Sequence, residues 1–337
     1  MFMRFLPFVF LLFFCGETFA RQSPKPFEMP IDCKFGNNCD LVLFVDHDKS
    51  AKWKDFQCGN LSYNNHQGTD IRLRSIKLMQ RGVDVLAAAN GRVIKVRRGL
   101  PDVSFKAIGH DIIVRRGLGN VVILDHGKGW RTIYAHLKNA SIRVATGQEV
   151  KAGNVLGQVG MSGLSEFPHL HFAVQRRGKV VDPFAPKISD NNKSCGIEQK
   201  TLWSAKARAQ LRYKEAFILQ AGFSDSTKFN RVALTYGLDI KERMGRKSPN
   251  FVFAIEFGGG RPGDEYEISL VSPRAQRIAF SKKKITRITN IKFDFVGRKG
   301  YGRIWPKGTY KGIFELFRTE RGLRRKILRT ERTIEVL

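Results

Sequence analysis

The chain has 337 residues, 42% of them hydrophobic, which is enough for about two domains with sizeable cores and excludes wholesale disorder. Its formal net charge of +29 calls for an acidic partner: nucleic acid, an anionic membrane surface or an acidic polymer. The N-terminus narrows that choice. "MFMRFLPFVFLLFFCGETFA" has Arg4, an apolar run from Phe5 to Cys15, then Thr18 and Ala20, the pattern of a secretory signal over residues 1–20. The run is too short for a comfortable membrane span, and Phe13 and Phe14 do not suit a lipid-attachment cysteine. An exported chain rarely meets nucleic acid, so no nucleic-acid partner is expected and the basic surface should face cell-envelope material.

Residues 21–60 read as a turn-rich extension; "KPFEMPIDC" in particular is not expected to hold regular structure. Removing the signal removes Cys15 and leaves Cys33, Cys39, Cys58 and Cys195. Four cysteines in an exported chain suggest two disulfides with three possible connectivities. The short turn "KFGNN" favours Cys33 with Cys39, leaving Cys58 with Cys195 as a long-range staple. No Cys-x-x-Cys pair is present, which argues against a cysteine zinc site.

From 83 to 184 short strands alternate with glycine turns. "VDVLAAANGRVIKV" reads as strand, Asn-Gly turn, strand, and "HDIIVRR", "NVVILDH", "WRTIYAHL", "NVLGQVG" and "LHFAVQRRGKVV" follow. "VDPFAPKISDNNKSCG" breaks the pattern and marks a boundary. An antiparallel β-sheet domain is thus expected over 61–190, with a linker over 191–216 in which "LWSAKARAQLRYKEAF" forms one short helix. Seven further strands are expected from 217, beginning with "RVALTYGLDI" and ending with "ERTIEVL", the count of an immunoglobulin-like β-sandwich. The predicted fold class is therefore all-β, the sheet domain being followed by a smaller sandwich over 217–337. Residues 201–337 hold 30 basic and 13 acidic residues, net +17, and neither histidine nor cysteine, so binding or spacing is expected of them rather than chemistry. If the strands of "SKKKITR" and "RGLRRKILR" are neighbours, their charges share one surface that could pair weakly with an anionic envelope surface.

All seven histidines precede residue 172. In "SEFPHLHFAV", a strand would put His169 and His171 on one face and Leu170 and Phe172 on the other. Two imidazoles on one face have no packing value, and each would cost ~2–7 kcal/mol if buried without partners. That face is therefore wet or binds something. In "YNNHQGTDIRLRS", His66 and Asp70 are four apart, but Asn64, Asn65 and Gly68 argue for a loop leading into a strand "DIRLR". Two histidines and a carboxylate with an open fourth position are a catalytic zinc arrangement. His66, Asp70 and one histidine of the 169/171 pair would supply it, with His136 of "TIYAHL" nearby on a strand able to pair with theirs.

"HQGTDI", "GVDVLAAANGRV", "GNVVILDHGKGWRTIYAHL", "VATGQEVKAGNVLGQVGMSG" and "PHLHF" together resemble the lysostaphin/LytM-type zinc peptidases, over about 62–184. The resemblance implies a LytM-type antiparallel sheet and one Zn2+ per chain, bound by His66, Asp70 and His171. It also implies catalytic roles for His136 and His169, and hydrolysis of peptide cross-links of peptidoglycan by a zinc-activated water. Peptidoglycan stem peptides are then the expected partner, the D-alanine–diaminopimelate bond the expected target, and the periplasm the expected location. A catalytically weak module that binds the wall and activates another hydrolase is the alternative. His126 is expected to be structural, and His47 and His110 ordinary surface residues. Ser165-Glu166-Phe167 and Ala173 depart from the family's usual pattern at the border of the groove.

Overall fold

The computed structural model describes residues 26–107, 116–186, 195, 201–226 and 228–337. The expected signal, His110 and nearly all of "HDIIVRR" lie outside the described residues. The first part of the chain is built on one antiparallel sheet. Its strands are β1 (Cys39–Leu43), β2 (Thr69–Leu73), β4 (Gly91–Arg97), β5 (Asn120–Gly127), β6 (Trp130–Leu137), β7 (Glu149–Val150), β9 (His169–Arg176) and β10 (Lys179–Val181). Their order is β1-β2-β9-β6-β5-β4-β7, with β10 on the free part of β9. Period-two alternation sends Ile71 and Leu73 of β2, Leu170, Phe172 and Val174 of β9, and Tyr134 of β6 to one fully buried face. The other face carries Asp70, Arg72, His169 and His171.

Within the turn-rich extension, β1 pairs with β2, with Asp40 opposite Arg72. The segment read as a linker packs on the first part of the chain: Leu202, Trp203, Ala207 and Leu211 are buried in the same core, and the amide of Phe27 donates to the Leu202 carbonyl. The ring of Phe27 meets those of Phe172 and Trp203 edge-on, so aromatic burial closes the apolar face from outside 61–190. The short helix is present, over Ala205–Gln210, capped by Ser204.

Asn90-Gly91 does not make a hairpin. β3 (Asp84–Leu86) pairs instead with β8 (Val155–Gln158) in a separate two-stranded sheet, and β4 pairs with β5 and β7. Gly91 is needed for close approach: a Cβ there would lie 2.7 Å from the Asp125 carbonyl oxygen and from His126 Nδ1.

The C-terminal part is a sandwich of two sheets. One is β11 (Phe217–Ser224), β13 (Asn250–Gly260) and β16 (Thr289–Lys299), in the order β11-β13-β16. The other contains β12 (Arg243–Met244), β14 (Glu265–Val271), β15 (Arg277–Lys284), β17 (Gly308–Glu320) and β18 (Leu323–Val336), in the order β12-β18-β17-β14-β15. Phe251, Phe253 and Phe257 of the first sheet pack on Tyr266, Tyr310 and Phe314 of the second. This partition of strands between two sheets is immunoglobulin-like. "RVALTYGLDI", expected as a strand, is instead a helix over Arg231–Tyr236. Asn230 caps its N-terminus and Gly237, with φ of 70°, ends it in the left-handed region.

The strands of the two basic stretches are not neighbours, but they lie in one sheet, and Lys282 of β15 and Arg324 of β18 pair with the same glutamates, Glu265 and Glu267. β15 and β18 are separated by β14 and β17, and acidic side chains stand between them. Lys282 pairs with Glu265, Arg324 with Glu267, Lys326 with Glu315 and Lys311 with Glu331. Part of the basic charge of this sheet is thus offset by the glutamates that stand between the two runs.

Both expected disulfides, Cys33–Cys39 and Cys58–Cys195, are formed. The second joins residues 137 apart, so it removes much unfolded-state freedom. Replacing Cys58 and Cys195 by Ser is expected to lower unfolding stability by about 2–5 kcal/mol. Urea denaturation checks this; an unchanged midpoint would show that the bond adds nothing.

Candidate metal centre

The register of β2 against β9 assembles the centre. Asp70 lies opposite His171 and Arg72 opposite His169, all four on the face away from the core. His66 arrives from the loop before β2. Its Nδ1 lies 2.7 Å from the Phe44 carbonyl oxygen. A carbonyl only accepts, so Nδ1 carries the proton and Nε2 of a neutral ring offers its lone pair to the site. That Nε2 is 3.2 Å from Asp70 Oδ1 and 3.3 Å from His171 Nδ1, and His171 Nδ1 is 2.8 Å from the same oxygen. Gly68 makes the approach possible: a Cβ there would sit 2.6 Å from the His171 ring and 2.9 Å from the Phe172 carbonyl oxygen. Gly68→Ala is therefore expected to displace His171 and lower metal affinity at least tenfold, measured by competition with a chromogenic chelator. Unaltered affinity would show that the ring can yield.

His66, Asp70 and His171 are all buried, and their three donor atoms lie within 4.8 Å of one another. Burial alone would raise the Asp70 carboxyl, but His66, His169 and the hydrogen bonds from His171 and His66 hold it well below the usual carboxylate range. Burial opposes a charge on His66, yet the Asp70 charge and hydrogen bond, with the Phe44 carbonyl, raise it. Without a metal, protons on these imidazoles bond the ionised Asp70; once they leave, two imidazole lone pairs and the carboxylate converge on one point, where a cation takes the protons' place. Two nitrogens and one oxygen are ligands that zinc accepts, so the donor set fits a zinc ion.

His136 and His169 stand beside this cluster with ring centroids 4.5 Å apart. His169 Nδ1 lies 3.0 Å from the Phe167 carbonyl oxygen and 3.1 Å from Ser165 Oγ; its Nε2 is 3.9 Å from Asp70 Oδ2. His136 Nδ1 lies 2.7 Å from the Ser162 carbonyl oxygen. By the same reasoning both rings are protonated on Nδ1 and bare on Nε2. Burial lowers the pKa of both, and for His136 the neighbouring His169 and His171 push it well down. Two neutral imidazoles, each with a free lone pair, therefore flank the centre.

His136 reaches this face against strand parity. On β6, Ala135 pairs with His171 and Tyr134 with Phe172, so regular alternation would send residue 136 to the core face with Tyr134. Its φ of 58° re-aims the side chain. A left-handed conformation costs a non-glycine residue about 1–3 kcal/mol and clusters at functional sites.

The remaining histidines are accounted for differently. His126 is buried, between the Asn90 carbonyl at 2.7 Å and Thr132 Oγ1 at 2.8 Å, a structural role as expected. His47 is not a surface residue: it is 6% exposed and its Nε2 lies 2.7 Å from Asp182 Oδ2. A partner 135 residues away left no local signal for that pair. Arg72, two residues after Asp70, stands on the same strand face, opposite His169.

A family model described as peptidase family M23 matches residues 64–183, a span that contains all five of these residues. Residues 64–183 form an M23 peptidase domain. The chain is 31% identical to an uncharacterized metalloprotease of Haemophilus influenzae, over 36% of this chain and 21% of that protein. It is 36% identical to the murein hydrolase activator EnvC of Escherichia coli, over 30% of this chain and 20% of that protein. It is 31% identical to the peptidoglycan DD-endopeptidase ShyB of Vibrio cholerae, over 38% of this chain and 26% of that protein. The matches thus span about a fifth to a quarter of these relatives.

Proposed function

We propose that this chain is an exported, zinc-dependent endopeptidase that hydrolyses peptide cross-links of peptidoglycan. The observation that carries the reading is the convergence of His66 Nε2, Asp70 Oδ1 and His171 Nδ1 beside two neutral imidazoles. Zinc held by these three residues would supply Lewis acidity, enough to make water a nucleophile near neutral pH. Either His169 or His136 can take the proton of the attacking water on its bare Nε2. A ring so protonated becomes a donor, able to stabilise the oxyanion or return the proton to the leaving amine. Asp70, kept ionised, offsets the positive charge that develops on His169, whose Nε2 is 3.9 Å away. The two disulfides agree with export to an oxidising compartment such as the periplasm, and the endopeptidase named among the relatives agrees with stem-peptide substrates.

The similarity to a murein hydrolase activator supports a second reading, a wall-binding module that switches on another hydrolase. An activator needs no intact ligand set, and here all three ligands and both flanking histidines are present. Digestion of purified cross-linked muropeptides decides between them. Cross-linked dimers should fall to monomers, the reaction should stop with a chelator, and zinc should restore it. A zinc-loaded protein that releases nothing, yet stimulates a separate wall hydrolase, would establish the activator instead.

A further inference from the structure

Arg72 is the largest fully buried side chain among the described residues, and the family reading gives it no role. It stands on β2 two residues after Asp70 and opposite His169. Its Nη2 lies 2.6 Å from Glu256 Oε2 and its Nη1 3.3 Å from Glu256 Oε1, with both side chains completely shielded from solvent. Glu256 belongs to β13, in the sandwich. Arg231, on the helix Arg231–Tyr236, adds a second cation: its Nε is 2.8 Å from Glu256 Oε1, and its Nη1 is 3.4 Å from Glu166 Oε2. The guanidinium of Arg72 sits 4.4 Å from the centre of the Phe167 ring. That ring is 5.0 Å from the ring of His169, and the Phe167 carbonyl accepts the His169 Nδ1 proton. An unbroken chain of contacts thus runs from the sandwich to one imidazole: Glu256, Arg72, Phe167, His169.

We propose that Glu256 acts through Arg72 to position the imidazole of His169, so that the C-terminal sandwich is a positioning element of the catalytic unit and not an appended binding module. A buried ion pair is seldom retained for stability, since apolar residues of similar volume often serve as well. This one fixes what apolar packing would leave loose. The bidentate fork sets the guanidinium plane, that plane sets the Phe167 ring, and the Phe167 carbonyl sets which nitrogen of His169 carries the proton. Arg231 holds the adjacent Glu166 from the same side, so residues 166 and 167 are both gripped by side chains that meet at Glu256. Arg72 is too deeply buried to touch a substrate, and it is a positioning residue in that sense.

The proposal rests on the hydrolase reading for its kinetic consequence but not for its geometric one, and the test separates the two. The full-length Arg72→Met/Glu256→Met variant replaces the pair by apolar side chains of similar length. We expect it to fold, with its metal content unchanged. Long-range 15N–1H spectra should show His169 passing from a single Nδ1-protonated tautomer to a mixture. On muropeptides kcat should fall at least tenfold while KM stays within about threefold, as expected when a catalytic group is misplaced and binding is intact. If the double variant does not fold, Glu256→Gln, which keeps the shape and removes the charge, is read in the same way. An unchanged tautomer with unchanged kcat in a folded variant would overturn the proposal and leave the pair a structural joint. Should the wild-type chain hydrolyse nothing, the hydrolase reading fails, and the tautomer alone decides whether the sandwich positions His169.

Discussion

Replacing His66 with Ala abolishes stoichiometric metal binding; this is the expected result with the largest effect. His66 is 2% exposed and is held by the Phe44 carbonyl in the tautomer that leaves Nε2 bare. It is thus preorganised as a ligand, one of three whose donor atoms lie within 4.8 Å of one another. Its loss leaves one nitrogen and one carboxylate, two donors on adjacent strands that cannot enclose a tetrahedral ion. Losing a mere hydrogen-bond partner of a ligand typically weakens metal affinity ~10–100-fold, and losing the ligand itself should exceed that. Asp70→Asn is the companion, nearly isosteric and unable to supply the charge. Elemental analysis after dialysis, with chelator competition, measures both. Full zinc in a folded His66→Ala protein would show that the ion, if bound, is held elsewhere.

The strand-borne half of this centre was legible in the sequence because strand parity is rigid. His169 and His171 had to share a face, and Asp70 at the mouth of "DIRLR" had to point one way. Two strands placed side by side in register then do the rest. For His136 the sequence offered only a strand able to pair with theirs; its catalytic role came from the family resemblance. Parity places it on the core face, and nothing in "TIYAHL" announces the left-handed backbone that turns it round. The disulfides followed from arithmetic and a short turn. Other features depended on partners remote in sequence: the aromatic lid of Phe27 and Trp203, and the Arg72–Glu256 pair. The helix Arg231–Tyr236 was misread for a local reason. Six residues, among them Val232, Thr235 and Tyr236, give too little helical period to outweigh β-propensity. Its caps, Asn230 and Gly237, were the better signal. The basic second half illustrates a limit of composition: a net charge says nothing of where the counter-charges stand, and here glutamates occupy the strands between the two basic runs.

The second large effect concerns the two flanking histidines. His169→Ala should keep the zinc and lose nearly all hydrolysis, because the ligands are untouched while a bare Nε2 next to the centre disappears. For position 136 the substitution must respect the backbone: at φ of 58° asparagine is among the few side chains that tolerate the left-handed region, so His136→Asn removes the imidazole with little added strain. A general base or acid is typically worth ~10²–10⁴ in rate, and an oxyanion donor ~10²–10³, so each variant should lose at least about a hundredfold in kcat at full metal content. The double variant discriminates further. If one ring takes the proton and the other stabilises the oxyanion in the same transition state, the two losses should fall well short of multiplying, since residues that act as a unit are strongly non-additive. If the losses multiply, the rings stabilise one transition state independently; a double variant no slower than the worse single one means that they act as a unit or in separate steps. Near-normal turnover in either single variant, with zinc retained, would remove that histidine from the reaction and leave it a packing partner of the other ring.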